Sequence, residues 1–220
     1  MRTLQVVERF LQENFHTLAE LHGQRKSIHE QKSVDAEGVP VPWYTYPAIE
    51  YLGHLDFCRA RIFEFGSGNS SLYWASRAAK VTSVEHDPAW YKEIKDFTQH
   101  NQQLFLRTEK EAYLHCLEGN GDAFDLIVID GKWRTSCAAL AADHLKEGGL
   151  ILLDNSDWYQ DAAQKLRSQG FFQIGFNGFG PINNYCWTTS LFLQANTLFQ
   201  EYFQDAAPIG GRRIRASDDD

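Results

Sequence analysis

Four apolar stretches of the sequence contain or end in a side chain that can bind a ligand or accept a proton. Glu64 lies within the first stretch, Glu85 and Asp130 each close one, and Asp154-Asn155 closes the last. In an open α/β sheet the ligand lies beyond the carboxyl ends of the strands, so one crevice should collect these side chains. Carboxylates in such a crevice bind hydroxyl groups, hold a cation or act as a general base.

A glycine turn, Gly66-Ser67-Gly68, follows the first apolar stretch directly. Glycine tolerates positive φ and lets a ligand approach the backbone closely. Asn69 and Ser70 come next and can cap a helix that begins near Leu72. The free N–H groups at the start of that helix attract a polar or anionic group. The segment therefore predicts a buried strand, a tight turn and a helix N-terminus that together hold a polar ligand.

The second acid, Glu85, lies 21 residues after Glu64. This is close to the spacing of an acid that binds ribose hydroxyls at the tip of the next strand, so the pair indicates a nucleoside cofactor. A dinucleotide dehydrogenase would have a third glycine where Ser71 stands, and the sequence departs from that class there. An NAD(P)-binding oxidoreductase stays open as an alternative on these residues alone.

The acid-x-Gly-x-Gly pattern from Glu64 to Gly68 resembles motif I of class I S-adenosylmethionine-dependent methyltransferases. The resemblance covers residues 60–195. It implies that S-adenosylmethionine is the cofactor, that Glu64 orients the loop and the amino group of the methionine part, and that Glu85 binds the ribose. The implied reaction is in-line transfer of the sulfonium methyl group to an oxygen or nitrogen of a small-molecule acceptor.

The same resemblance assigns further residues to the cofactor. The end of the third strand would lie near the adenine, which makes Thr108, Glu109 and Lys110 candidates there. Asp130 would face the sulfonium and the acceptor, where it serves as a general base or binds a metal. The expected cofactor-binding residues are Glu64, Gly66, Ser67, Gly68, Asn69, Ser70, Glu85, His86, Glu109 and Asp130.

Asp130, Asp154 and Asn155 are also candidates for a metal site. They resemble the Asp … Asp-Asn pattern of divalent-cation-dependent catechol and caffeoyl-coenzyme A O-methyltransferases, and their oxygen ligands suit Mg²⁺ or Ca²⁺. Such a cation would lower the pKa of an acceptor hydroxyl. The segment Asp130–Arg134 resembles an Asp-Gly-x-x-Arg signature of methyltransferases with no assigned metal. In the alternative without a metal, Asp154 and Asn155 cap the next helix and fix the loop.

Strand and helix patterns alternate five times between Ile62 and Gly170, which predicts a doubly wound, Rossmann-like α/β fold. Phe171–Phe176 and Tyr185–Leu193 follow as two strands joined by a short loop, so they should pair antiparallel. The result is a mostly parallel seven-stranded sheet with a C-terminal antiparallel hairpin, an ending typical of the methyltransferases and unusual in a dehydrogenase. The predicted helices are 3–22, 48–55, 72–79, 88–101, 112–117, 136–145 and 159–168, and the predicted parallel strands are 62–65, 81–86, 104–107, 124–130 and 150–153.

Residues 1–56 are expected to form a helical extension and lid, 57–205 the cofactor-binding domain, and 206–220 a disordered tail. The amphipathic helix over 3–22 packs on its own domain, covers the acceptor pocket or pairs with a second subunit as a homodimer. Tyr44, Thr45 and Tyr46 either belong to a lid over the cofactor or are held by simple packing of the aromatic side chains. An aromatic wall for the acceptor is expected from Trp158, Tyr159, Phe179, Tyr185 and Trp187.

The composition limits the classes of partner. A formal net charge of -8, with no Lys or Arg run longer than a pair, argues against a nucleic-acid substrate. The four cysteines are scattered and fit a reducing compartment. The charged N-terminus does not read as a leader, and no apolar run is long enough to span a membrane, so we expect a cytoplasmic protein. An aminopropyltransferase and a non-catalytic cofactor-binding module remain further alternatives.

Overall fold

A computed structural model describes residues 2–118, 123–197 and 208–211. Within these residues the chain forms one seven-stranded sheet of order β3-β2-β1-β4-β5-β7-β6, with helices connecting the parallel strands. The strands are β1 (Arg61–Phe65), β2 (Lys80–Glu85), β3 (Gln102–Leu106), β4 (Phe124–Ile129), β5 (Leu145–Leu153), β6 (Phe172–Gly178) and β7 (Trp187–Leu193).

The pairing of the strands confirms the predicted fold class. Strands β1 to β5 pair with one another in parallel, whereas β7 is antiparallel to β5 and β6 is antiparallel to β7. Phe65, the last residue of β1, pairs with Val84 on one side and Ile129 on the other. The carboxyl ends of β1, β2 and β4 therefore meet at one edge of the sheet, which is where the predicted site residues lie.

The central strands are buried on both faces, as in other parallel sheets covered by helices. On one face Phe63 and Ile127 belong to a core cluster with Tyr113. On the other face Leu126 packs in a second cluster that contains Trp74. Because both faces are covered, the sheet edge at the strand ends is the part of the sheet left for a ligand.

The helices are α1 (Arg2–His16), α2 (Gln24–Glu30), α3 (Tyr46–Gly53), α4 (Asn69–Ala75), α5 (Pro88–Ile94), α6 (Lys110–His115), α7 (Arg134–Ala141) and α8 (Gln160–Ser168). The prediction that α4 begins near Leu72 was wrong by three residues. Gly68 is the N-cap residue of α4, so Asn69 and Ser70 lie inside the helix. The fifth strand begins at Leu145, earlier than predicted, and Gly148-Gly149 lies within it rather than in a turn.

The N-terminal extension begins with α1 and continues through a π-helical turn, Thr17–Leu21, to Gly23, whose φ of 76° ends it as predicted. The apolar side chains of α1 are exposed, including Leu4 at 68% and Leu11 at 61%, so α1 does not bury this face in its own domain. Pairing of this helix with a second subunit stays a prediction. Most of the predicted tail lies outside the described residues. No helix in the described part of the chain is long and apolar enough to cross a membrane.

Candidate active site

A cleft of about 490 Å³ opens at the carboxyl ends of β1, β2 and β4. The glycine turn forms one side, and Gly66 takes a φ of 101°, which only glycine adopts readily. The turn after β4 forms the opposite side and approaches Gly66 closely. The cleft is lined by Gly66, Ser67, Ser70, Glu85, His86, Asp87, Trp90, Asp130, Gly131, Lys132, Trp133 and Tyr159.

Glu64 lies beneath this cleft and is fully buried. Its carboxylate accepts hydrogen bonds from the hydroxyls of Ser70 and Ser71 in the first turn of α4, and from Ser83 Oγ at 2.9 Å. Burial raises the pKa of Glu64 to about 7, although the serine hydroxyls oppose the shift. The predicted direct role with the cofactor stays a prediction, because the acid reaches the cleft only through Ser70.

Glu85 ends β2 and points into the cleft, where 4% of the residue is exposed. Its Oε1 accepts hydrogen bonds from the backbone N–H groups of His86 at 2.7 Å and Asp87 at 2.8 Å. Its Oε2 accepts one from Ser67 Oγ at 2.9 Å. The acid therefore links the glycine turn to the loop after β2. Rotation of the Ser67 side chain would free Oε2 to bind a ligand.

Asp130 follows β4 and forms an ion pair with Arg134, whose Nη2 lies 3.0 Å from Asp130 Oδ1. Asp154 follows β5 and is buried, with Oδ1 accepting hydrogen bonds from Trp187 Nε1 at 3.0 Å and from the Thr189 hydroxyl. Burial raises the pKa of Asp130 above its usual range, opposed by the Arg134 guanidinium. Burial, followed by the negative charge of Asp130, raises the pKa of Asp154.

Arg134 contacts all three of the predicted metal ligands, Asp154 through its backbone oxygen. Its Nη1 donates to Asp154 O at 2.7 Å and to Asn155 Oδ1 at 2.9 Å, while Nη2 contacts Asp130. No group of three or more acidic, His or Cys side chains in the described chain is arranged to hold a metal. The Arg134 guanidinium already supplies the positive charge beside Asp130 and Asn155. The Asp154 carboxylate is bonded instead to Trp187 and Thr189, so the three side chains are not arranged to share a divalent cation.

In the alternative without a metal, the helix cap by Asp154 and Asn155 was wrong, whereas Asn155 does fix the loop, since its backbone oxygen accepts from Trp158 N and Tyr159 N. Tyr159 is the N-cap residue of α8, and Asn155 instead has a positive φ of 51° in the turn before it. Asp154 is turned toward β7 by its hydrogen bonds to Trp187 and Thr189.

The remaining predicted residues divide between this cleft and other places. His86 lines the cleft, with Nδ1 2.9 Å from Glu85 Oε1. Gly68 and Asn69 line a separate cavity of about 340 Å³ on the other side of Trp90. Glu109 is exposed at the start of α6 and is not among the described residues that line the cleft.

Two tryptophans of the cleft were missed by the sequence analysis. Trp133 packs edge-on against His86, with ring centroids 6.0 Å apart, and against Tyr113 at 5.3 Å. Trp90 Nε1 donates a hydrogen bond to Ser67 O at 2.8 Å and so holds the glycine turn. Trp133 lies inside the Asp-Gly-x-x-Arg segment, and this position was the feature of the sequence that could have placed it at the cleft.

A second pocket of about 330 Å³, which we call the aromatic pocket, shares Asp130 with the first cleft. Three of the five predicted wall residues line it, Trp158, Tyr185 and Trp187. Tyr159 lines the first cleft instead. The aromatic pocket is lined by Trp43, Asp130, Arg134, Asp154, Asn155, Trp158, Asn183, Tyr185 and Trp187.

The segment before α3 closes one side of the aromatic pocket through Trp43, which is 45% exposed. Tyr44, Thr45 and Tyr46 are buried, so the packing alternative for them was right in this structure. Thr45 N donates to Thr189 Oγ1 at 3.0 Å, which fixes this segment against β7.

Comparison with solved structures identifies the fold. A precorrin-6Y C5,15-methyltransferase from Geobacter metallireducens GS-15 is similar with a TM-score of 0.52 and 15% identity, over 66% of this chain and 86% of that one. An rRNA methylase from Streptococcus thermophilus gives a TM-score of 0.50 and 14% identity, over 67% and 96%. Spermidine synthase from Thermotoga maritima gives 0.52 and 14%, over 73% and 60%.

No protein-family profile matches the sequence, and no curated protein matches it. The structural matches agree with the sheet order, in which an antiparallel β7 lies between β5 and β6. This chain therefore has the fold of the class I S-adenosylmethionine-dependent methyltransferases.

Proposed function

We propose that this protein is an S-adenosylmethionine-dependent methyltransferase that acts on a small molecule. The observation that carries the proposal is the cleft in which the glycine turn, Glu85 and Asp130 meet at the ends of three parallel strands. Backbone N–H groups of the turn suit the polar methionine part of the cofactor. The Glu85 carboxylate suits the ribose hydroxyls, which would replace its hydrogen bond from Ser67.

Glu64 is a positioning residue in this proposal. Its three serine partners join β1, β2 and the start of α4. The carboxylate thereby fixes the glycine turn relative to the first helical turn, without itself lining the cleft. This role differs from a direct contact with the methionine amino group.

The neighbouring aromatic pocket is the natural place for the methyl acceptor. It meets the cofactor cleft at Asp130, so donor and acceptor would lie on the two sides of one carboxylate. Holding the two reactants in line supplies most of the acceleration of such a transfer. Because burial raises the pKa of Asp130, this carboxylate is a better proton acceptor than an exposed aspartate.

Calorimetric titration of S-adenosylmethionine and S-adenosylhomocysteine, with NAD as comparator, tests the proposal. We expect the sulfur compounds to bind and NAD not to bind. Glu85→Ala should weaken their binding at least tenfold, about 1.4 kcal/mol, because it removes the acceptor for the ribose. Glu109→Ala is the matched control, since this acid was also predicted to bind the cofactor but is exposed outside the cleft.

Three outcomes would count against the proposal. Binding of NAD alone would make the protein an oxidoreductase with an unusual glycine turn. Equal losses in Glu85→Ala and Glu109→Ala would place the cofactor elsewhere. If the cofactor binds normally and no acceptor ever yields S-adenosylhomocysteine, the chain is a binding module.

A further inference from the structure

The rings of the aromatic pocket are not explained by the hydrophobic core. Trp43, Trp158 and Tyr185 are 45%, 56% and 46% exposed, yet all three line the same pocket. Trp158 and Tyr185 lie with ring centroids 6.0 Å apart, and Tyr185 and Trp187 lie 6.1 Å apart. Large aromatic rings held in a cluster at the surface mark a binding site more often than an accident of packing.

Two carboxyl groups lie in the polar part of this pocket. Asp130 and Asp154 both line it, and Arg134 is the single cationic side chain among its lining residues. That guanidinium is already occupied by protein acceptors. It donates to Gly131 O, Asp130 O, Asp154 O and Asn155 Oδ1, besides its ion pair with Asp130.

Asp154 has only neutral donors on its Oδ1, the Trp187 indole and the Thr189 hydroxyl. The pocket thus holds two carboxyl groups for one guanidinium. Two carboxyl groups that share one site repel each other when both are charged, and a second cation relieves that repulsion.

We propose that the aromatic pocket binds an organic ammonium group, and that the methyl acceptor is therefore an amine. This proposal rests on the proposed function for its second half, whereas cation binding stands on the pocket alone. The faces of Trp and Tyr attract ammonium groups, most strongly when the site is shielded from water. The carboxyl groups of Asp130 and Asp154 line the same pocket and complete such a site.

Other ligands fit these residues less well. A bare divalent cation would need several oxygen ligands, and Arg134 already occupies the carboxylate and amide oxygens that a metal would use. A neutral polyol would gain from the rings but would leave the second carboxyl group without a counter-charge. An anionic acceptor would be repelled by both aspartates.

The proposed methyl transfer needs only the amine, the cofactor and the Asp130 carboxylate. The ammonium group gives one proton to the Asp130 carboxylate, which leaves a neutral amine with a free lone pair. That lone pair forms a bond to the sulfonium methyl carbon while the carbon–sulfur bond breaks and its electron pair stays on sulfur. The products are the methylated ammonium ion, S-adenosylhomocysteine and a protonated Asp130, which returns its proton to water.

Choline and its uncharged carbon analogue, 3,3-dimethylbutan-1-ol, are probes of the same shape that test the cation site. Each is titrated by calorimetry and tryptophan fluorescence, with and without S-adenosylhomocysteine, and methyl glucoside serves as a neutral polyol. We expect choline to bind at least tenfold more tightly than the alcohol. Trp158→Ala should reduce choline binding at least fivefold, whereas Phe172→Ala, at an exposed ring on β6, should not change it.

Equal affinity for choline and the alcohol would overturn the proposal, and so would binding of methyl glucoside alone or choline binding that Trp158→Ala leaves intact. The two proposals fail separately. If S-adenosylhomocysteine does not bind, the proposed function is contradicted, while the titration of choline without it still decides the cation site.

Discussion

Glu64 illustrates how a single residue organises the glycine-turn side of the cleft. A fully buried carboxylate is costly unless it is hydrogen-bonded, and three serine hydroxyls meet that requirement here. Two of these serines open α4 and the third lies in β2, so the acid joins three elements. The cost that remains is visible in its pKa, which burial raises to about 7.

This raised pKa predicts how stability depends on pH. The folded state holds the Glu64 proton more tightly than the unfolded state, in which the pKa is near 4.5. The associated stability is present below about pH 4.5 and is lost as the pH rises toward 7, by ~3 kcal/mol at most. Glu64→Gln has no proton to lose, so it should remove this part of the pH dependence.

Urea unfolding of both proteins at pH 5 and pH 8 measures the effect. The free energy of unfolding of Glu64→Gln minus that of the parent should be more positive at pH 8 than at pH 5. Asp130 and Asp154 titrate in both proteins, and the charge of Asp130 also raises the pKa of Glu64, so the difference reports Glu64 together with this interaction. The same difference at both pH values would show that Glu64 is not a buried acid with a raised pKa.

The residue types at the strand ends were readable from the sequence, but their partners were not. The sequence placed Asp130, Asp154 and Asn155 at one edge, and the structure brings them together around Arg134. Whether such oxygens surround a metal or a guanidinium depends on where one long side chain folds. That choice is made by tertiary packing, and residue spacing does not encode it.

At the scale of elements, two turns define the cleft. The glycine turn after β1 and the turn after β4 touch at Gly66 and Gly131. A Cβ added to Gly131 would lie 2.7 Å from Gly66 N and 2.9 Å from Gly66 Cα, and it would also meet the Tyr113 hydroxyl. This contact sets the separation of β1 and β4 at the point where the ligand is expected.

Gly131→Ala should therefore destabilise the protein by about 3 kcal/mol and abolish cofactor binding, because backbone atoms cannot move aside as a flexible side chain can. Adding Tyr113→Phe removes the hydroxyl contact and should not restore stability, since the clash with Gly66 remains. Gly53→Ala, with no neighbour within 4 Å at the end of α3, is the control and should be nearly neutral. Thermal unfolding that is normal in Gly131→Ala would contradict this view of the two turns.

Predictions of element type were more accurate than predictions of element ends. Apolar strands, alternating helices and the final hairpin follow from periodicity, and all are present. The start of α4 was misplaced because Asn69 looks like a cap in sequence, whereas its side chain donates to Ser33 O in the N-terminal loop. A contact between residues 36 positions apart leaves no local trace in the sequence.

At the scale of the whole molecule, the topology determines where chemistry can occur. Both faces of the sheet are covered, and the cofactor cleft and the aromatic pocket lie side by side at the strand ends. The sheet order was predictable because short loops and alternation restrict the connections. The aromatic pocket was only partly predictable, since it also needs Trp43 from a loop far away in the sequence.

The separate cavity beside Gly68 and Asn69 is an alternative place for a nucleoside to bind. It lies between the N-terminal loop and α5, has a volume of about 340 Å³, and is lined by Gly68, Asn69 and Leu72 among others. Trp90 borders both this cavity and the cofactor cleft. A nucleoside bound there would also contact the glycine turn, but it would leave Glu85 and Asp130 unused.

The crystal structure of the complex with S-adenosylhomocysteine tests the central claim most directly. We predict that the ribose hydroxyls lie within hydrogen-bond distance of Glu85, with the sulfur on the side of Asp130 that faces the aromatic pocket. The account is contradicted if the ligand occupies the cavity beside Leu72, or if its sulfur lies away from Asp130.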